Sequence, residues 1–265
     1  MDSIRGLSDI IDRFDAVVTD QFGVLHDGDR VFDGALAALR ELAARKIPVV
    51  TLTNSGKRAH TNAARLARMG LTPDLVGTVI SSGELAREHL ETMRSGTPIG
   101  LITRDGETEL IDGLNLRKLD LRDNESPELI VLAGIQPETI SQTDYGDLLA
   151  RHARAKVPML LVNPDLLMGQ GTAVFFGAGA VARDYSNRGG QVTPLGKPSP
   201  AMFKAALATL ANPKPNRVLM IGDSPAHDIG GASDAGLATL LVRSGVQAGL
   251  RGHIADYTVD QLRWD

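Results

Sequence analysis

Short apolar runs alternate with longer amphipathic stretches along the whole chain. Ala16–Thr19, Ile47–Thr53, Leu75–Ile80, Ile99–Thr103, Leu129–Ala133, Val157–Val162, Val218–Ile221 and Ala238–Val242 read as strands. Between them, Ala35–Arg45, Thr61–Met69, Glu84–Arg94, Tyr145–Ala155 and Pro200–Leu210 read as helices. Strand and helix in turn predict an α/β fold with a mainly parallel sheet. Ligands bind such sheets beyond the carboxyl ends of the strands, so strand-to-helix junctions are the places to look for chemistry. Two turn-rich stretches, Arg94-Ser-Gly-Thr-Pro98 and Asn187-Arg-Gly-Gly190, bracket a middle region and suggest an inserted unit.

Composition narrows this picture. The chain has 265 residues, 43% of them hydrophobic and 23% charged, enough for a packed core in one large or two smaller domains. The net charge of -4 is spread over both signs, which argues against a dedicated nucleic-acid binder. No window approaches 18 uninterrupted apolar residues, and Met1 to Asp15 lacks the apolar run of a signal peptide. No membrane association is expected, and the expected location is cytoplasmic. The absence of cysteine removes disulfides, thiolate nucleophiles and cysteine-bound metals together. Covalent chemistry must then use oxygen, nitrogen or a cofactor.

Three strand ends carry unusual residues. Asp20 follows an apolar run and precedes Gln21-Phe22-Gly23; Thr53-Asn54-Ser55-Gly56 ends the second run; Gly222-Asp223 ends a third, with Asp228 in the next turn. Hard cations such as Mg²⁺ take oxygen ligands, usually one or two carboxylates with water and substrate phosphate. Asp20, Asp223 and Asp228 supply such a set if the three strands are neighbours. Gly196-Lys197-Pro198 adds an ammonium that can neutralise phosphate or restrain a carboxylate. Taken singly, an Asp after a strand is most often a turn-former or helix cap, and a lone Lys a solvated charge. Their joint order carries more weight.

That order resembles the haloacid dehalogenase-like superfamily, and within it the NagD-like phosphatases of subclass IIA. The shared motifs are Asp20-x-x-Gly-Val-Leu25, Leu52-Thr-Asn54, Ser81-Ser82, Asn163-Pro-Asp165, Gly177-Ala-Gly-Ala180, Gly196-Lys-Pro-Ser-Pro200, Gly222-Asp223 with Asp228-Ile, and Ser244-Gly-Val246. The resemblance implies a Rossmann-like core with a parallel sheet, residues 1–94 and 192–265, and an inserted α/β cap domain, 95–191. It implies Asp20 as the nucleophile forming an aspartyl-phosphate. Thr53, with Asn54 and Ser55, would bind the transferring phosphoryl group, and Lys197 would balance charge. Mg²⁺ would be held by Asp20, the backbone carbonyl of Phe22, Asp223 and Asp228. Asn163 and Asp165 would lie near the core–cap junction as substrate contacts or as a turn and hinge. The implied substrate is a small phosphorylated metabolite, and relatives often form homodimers through the cap.

One position departs from the pattern. The family's phosphatases carry Asp-x-Asp, the second Asp serving as general acid and base; here that second position is Phe22, which cannot move a proton. General acid–base help contributes about 10²–10⁴-fold. Three outcomes remain open: a substitute such as His26 or a cap residue, a preference for good leaving groups, or a slow phosphoenzyme or phosphate-ester binding protein. Other classes leave traces too. Gly177-Ala-Gly-Ala-Val-Ala182 follows Val174-Phe-Phe176 and matches a dinucleotide fingerprint, the mark of an NAD-dependent oxidoreductase, but Pro194 to Lys197 stand where its acidic residue belongs. Gly222-Asp-Ser224-Pro-Ala226 comes near the nucleophile elbow of a serine esterase, with Asp234 and His253 in order behind it.

Overall fold

The computed structural model describes residues 2–170, 173–245 and 252–265; Val246 of the Ser244-Gly-Val246 motif lies outside these. Four strands come first: β1 (Asp2–Ser3), β2 (Ala16–Thr19), β3 (Val49–Thr53) and β4 (Thr78–Ser81). The middle of the chain holds β5 (Pro98–Ile102), β6 (Arg117–Leu119), β7 (Leu129–Leu132), β8 (Pro158–Leu161), β9 (Leu167–Gln170), β10 (Ala173–Phe176) and β11 (Gln191–Pro194). The last part returns with β12 (Val218–Gly222), β13 (Ala238–Val242) and β14 (Tyr257–Val259).

Two parallel sheets result. One runs β1-β14-β13-β12-β2-β3-β4, the other β11-β8-β7-β5-β6, and β9 and β10 form a separate antiparallel pair. In the larger sheet β2 lies between β12 and β3, and β3 beside β4. The strand ends bearing Asp20, Thr53 and Asp223 are therefore neighbours, as the expected oxygen cluster requires. Both faces of this sheet are covered. Leu7, Leu39, Leu66 and Leu219 pack on one side, and Met202, Phe203, Leu52 and Met220 on the other. Burial on both faces is what permits continuous apolar strands such as Ala16-Val-Val.

Five helices form where the periodicity predicts them, α1 (Asp33–Ala44), α2 (Ala59–Arg68), α4 (Ser82–Glu91), α5 (Gln142–Arg154) and α7 (Pro200–Thr209), and two more, a short α3 (Pro73–Val76) and α6 (Ala178–Asn187), are not among those it predicts. Two details correct the sequence reading. Leu75 and Val76, expected in a strand, belong to α3, because Pro73 starts a helical turn that Gly77 ends at φ 61°. The second concerns β11, which pairs with β8 as far as Pro194↔Leu161, past the junction expected at Gln191. The Gly189-Gly190 turn only joins α6 to β11. Among the described residues, no helix is long and apolar enough to cross a membrane.

Candidate active site

Lys197 is the hub of the site although it is almost fully buried, at 1% exposure. Its ammonium lies 2.8 Å from Asp20 Oδ1 and 2.7 Å from Asp228 Oδ1, and donates to the Leu52 carbonyl at 2.9 Å. It thereby ties the ends of β2 and β3 to the turn after β12. Asp20 Oδ1 also accepts the Gln21 amide at 2.8 Å, while Asp228 Oδ2 accepts the amides of Asp223 at 3.1 Å and Ser224 at 3.0 Å. Asp20, Asp223 and Asp228 offer carboxylate oxygens that all lie within 4.8 Å of one another. Gly23 makes the approach possible: a Cβ there would meet Asp223 Oδ2 at 2.5 Å, and its φ of +80° suits glycine.

Lys197 contacts two of these three buried carboxylates, Asp20 and Asp228. Burial pushes the Asp20 carboxyl up to about 7; Lys197 pulls it back and the charge of Asp228 adds to the rise. Burial opposes the charge of Lys197 as well, yet Asp20 and Asp228 outweigh it and hold the ammonium above its usual range. Hard oxygen donors this close together fit a divalent cation such as Mg²⁺.

Beside this floor the other expected residues fall into two groups. Thr53 is buried, with its Oγ1 accepting the Ser55 amide at 3.2 Å, and Asn54 Oδ1 accepts the Lys197 amide at 2.6 Å. Asp165 reaches in from the turn after β8. Its Oδ1 accepts Asn54 Nδ2 at 2.8 Å and lies 2.9 Å from His227 Nδ1. Burial works against charge on both Asp165 and His227, but their contact prevails, lowering the pKa of Asp165 and raising that of His227. Asn163 Oδ1 accepts the Asp165 amide at 3.0 Å, forming the turn that aims Asp165. His227 had no place in the sequence reading. Its position between Asp223 and Asp228 was the only signal, and its partner lies 62 residues away.

Phe22 forms the wall. Its ring packs edge-on against His26, with centroids 5.8 Å apart at 87°. His26 Nδ1 accepts the Gly28 amide at 3.0 Å, which puts the ring proton on Nε2, and burial lowers its pKa to about 4. His26 is thus neutral near pH 7 and shapes the turn. Above the floor opens a cavity of about 490 Å³, lined by Asp20, Phe22, Thr53, Asn54 and Asp165, with Leu167 and Met168 of β9 on the far side. At its rim Lys57 pairs with Glu107 at 2.5 Å, and Thr61 of α2 donates to Glu109.

The two other motifs have structural explanations. A Cβ on Gly177 would meet the Asp165 carbonyl at 2.0 Å, and one on Gly179 the Pro164 carbonyl at 2.2 Å, so these glycines let α6 press against the Asn163–Asp165 turn. Ser224 Oγ accepts the His227 amide at 3.2 Å, capping the π-helical turn Pro225–Gly230.

The comparisons agree with this geometry. A family model described as haloacid dehalogenase-like hydrolase matches residues 17–117, and a HAD-hydrolase-like model matches 194–264, the stretches that carry Asp20, Thr53, Lys197, Asp223 and Asp228. The chain belongs to the haloacid dehalogenase-like hydrolases. A crystal structure of a haloacid dehalogenase-like hydrolase from Brucella suis superposes with a TM-score of 0.88 at 27% identity, covering 98% of this chain and 99% of that one. NagD from Escherichia coli shares the fold, with a TM-score of 0.68 at 22% identity over 94% of this chain and 96% of NagD. Dihydroxyacetone phosphatase from Corynebacterium glutamicum is 29% identical over 232 residues, covering 86% of this chain and 81% of that protein. This hydrolase departs from the motif of its family at Phe22.

Proposed function

We propose that this hydrolase is a Mg²⁺-dependent phosphatase that removes the phosphoryl group of a small metabolite through an aspartyl-phosphate on Asp20. The observation that carries the reading is the Lys197 ammonium held between Asp20 and Asp228, with Asp223 beside them, on the floor of a cavity. Phosphatase relatives such as the C. glutamicum protein support the reaction class. The middle unit, residues 95–191 in the sequence reading together with β11, serves as the cap over this floor.

Bound among Asp20, the Phe22 carbonyl, Asp223 and Asp228, Mg²⁺ supplies Lewis-acid neutralisation of the phosphoryl oxygens. Asp20 Oδ1 is occupied by Lys197 and the Gln21 amide, so Oδ2 is the attacking atom. It forms a bond to phosphorus while the bond to the leaving oxygen breaks. Thr53 Oγ1 and the Asn54 amide orient the phosphoryl group, and Lys197 offsets its charge. The leaving oxygen takes its proton from water, since Phe22 offers none and His26 is neutral and buried. Water then attacks phosphorus, the Asp20–phosphorus bond breaks, and inorganic phosphate departs with Asp20 regenerated. Esters with stable leaving groups suffer least from the missing acid.

The test is phosphate release from a metabolite panel and from p-nitrophenyl phosphate, with Mg²⁺ and after chelation, for wild type, Asp20→Asn and Phe22→Asp. Loss of release in Asp20→Asn and on chelation is expected; hydrolysis retained by Asp20→Asn would overturn the nucleophile assignment. Phe22 also favours a second reading, a phosphate-ester binding protein, which tight binding without release over hours would establish.

A further inference from the structure

The cationic side chains around the cavity differ in whether a carboxylate answers them. Lys197 is matched by Asp20 and Asp228, Lys57 by Glu107, and Arg104 by Glu138 at 2.6 Å. Two others line the same cavity unanswered. Arg65 and Arg68 lie three residues apart on α2, a spacing that puts both on one helix face. Among the described residues no carboxylate lies within 4.0 Å of either guanidinium. Arg65 Nη2 donates to the Gly28 carbonyl at 2.8 Å, and Arg68 Nε contacts the Ala64 carbonyl at 3.3 Å, contacts that position the groups without neutralising them. The facing turn carries Asp27, paired with Arg30 at 3.2 Å, and Asp29, which also lines the cavity; against Arg30, Arg65 and Arg68 this end keeps one positive charge in excess.

Arg65 and Phe22 both approach Gly28. A point one Cβ bond out from Gly28 lies 3.3 Å from the Phe22 ring and 3.7 Å from Arg65 Nη2. The Phe22 ring and the Arg65 guanidinium thus both close on the Gly28 turn. A planar guanidinium offers paired donors that match a carboxylate or phosphate in a bidentate geometry, and two of them suit an anion better than a neutral sugar or alcohol.

We propose that Arg65 and Arg68 form a second anion subsite, so that the substrate is a phosphomonoester carrying a further carboxylate or phosphate away from the scissile group. This assignment presupposes the phosphatase reading above and narrows it to one substrate class.

The test compares esters that differ only in the second anion: 4-carboxyphenyl phosphate against phenyl phosphate, and 3-phosphoglycerate and glycerol 1,3-bisphosphate against glycerol 3-phosphate. The phenyl pair has good leaving groups and remains hydrolysable without a general acid. The quantity read is the ratio of kcat/KM for the ester carrying the second anion over its counterpart lacking it. In wild type that ratio exceeds one and falls as salt rises. In Arg65→Gln/Arg68→Gln it drops at least about tenfold, and in Arg68→Gln alone by a smaller factor. The carboxylate and bisphosphate arms tell which anion is preferred. A ratio that stays the same in the double variant overturns the subsite. If turnover is too slow to measure, calorimetric binding of the same esters to Asp20→Asn gives the same ratio as dissociation constants. Binding of the esters with no change of ratio defeats the subsite alone; no binding and no release for any of them defeats the phosphatase reading and the subsite together.

Discussion

On the cavity floor, Lys197 is 1% exposed and touches two carboxylates and a carbonyl. At the rim, Arg65 and Arg68 are exposed and, among the described residues, hydrogen-bond to carbonyls, and Lys57 and Glu107 pair with side chains 37% and 39% exposed. The same charged residue types do different work in the two places. A buried ion pair stands or falls with both partners, because an orphaned charge cannot be solvated. Rim charges stay hydrated, so they cost little to hold and little to lose. On the proposed reading the floor fixes the chemistry, while the rim is free to select the molecule that reaches it.

That contrast can be broken at either end. The largest effect is expected from Lys197→Met, which leaves Asp20 and Asp228 facing each other uncompensated. It should cost about 3–5 kcal/mol in urea denaturation and at least about 10³-fold in phosphate release. A variant of near wild-type stability would show that the floor does not depend on its ammonium.

His26 comes next, as a buried neutral group in the wall. Its folded pKa of about 4 lies below the ordinary 6.5, so the unfolded chain binds more protons between those values. The contribution of His26 is complete above pH 6.5 and is lost as pH falls through 4, amounting to about 3 kcal/mol at the acid limit. Denaturation curves from pH 7 to 4 should accordingly be flatter for His26→Gln than for wild type. Identical slopes would mean that the ring is charged in the fold.

Phe22→Asp restores a proton carrier and should raise p-nitrophenyl phosphate hydrolysis at least about tenfold with Mg²⁺. No gain in a folded variant that still binds Mg²⁺ would remove residue 22 as the limit on turnover. The smallest change belongs to the rim. Glu107→Gln should alter stability by about 1 kcal/mol or less and KM by less than about threefold, with a weaker salt dependence. A large loss there would place Lys57–Glu107 with the floor.

How far the sequence revealed all this depends on the distance over which each signal acts. Ala16–Thr19 followed by Asp20, and Val218–Gly222 followed by Asp223, are local patterns of an apolar run ending in a carboxylate, and both strands form as read. The joint order of Asp20, Thr53, Lys197 and Asp223 identified the family because each motif sits at its own strand end. Less legible were elements whose stability comes from neighbours. Gln191-Val-Thr-Pro194 is too polar to announce a strand, and it forms one by pairing with β8. The β9–β10 pair, Leu167–Gln170 with Ala173–Phe176, shows no alternation strong enough to mark it. Asp165 and His227 are 62 residues apart, so neither points to the other. Arg65 and Arg68 look like any solvated helix face until the cavity beside them is seen.

The place of β2 in its sheet has a consequence for how the chain is made. This strand is flanked by β3, which follows soon after it, and by β12, which is synthesised some 200 residues later. Until β12 arrives, one edge of a buried, mostly apolar strand stays open. Fragments ending before Val218 should therefore associate through that edge, whereas the full chain closes it against Val218–Ile221. The strand that presents Asp20 is also the seam where early and late segments of the chain meet.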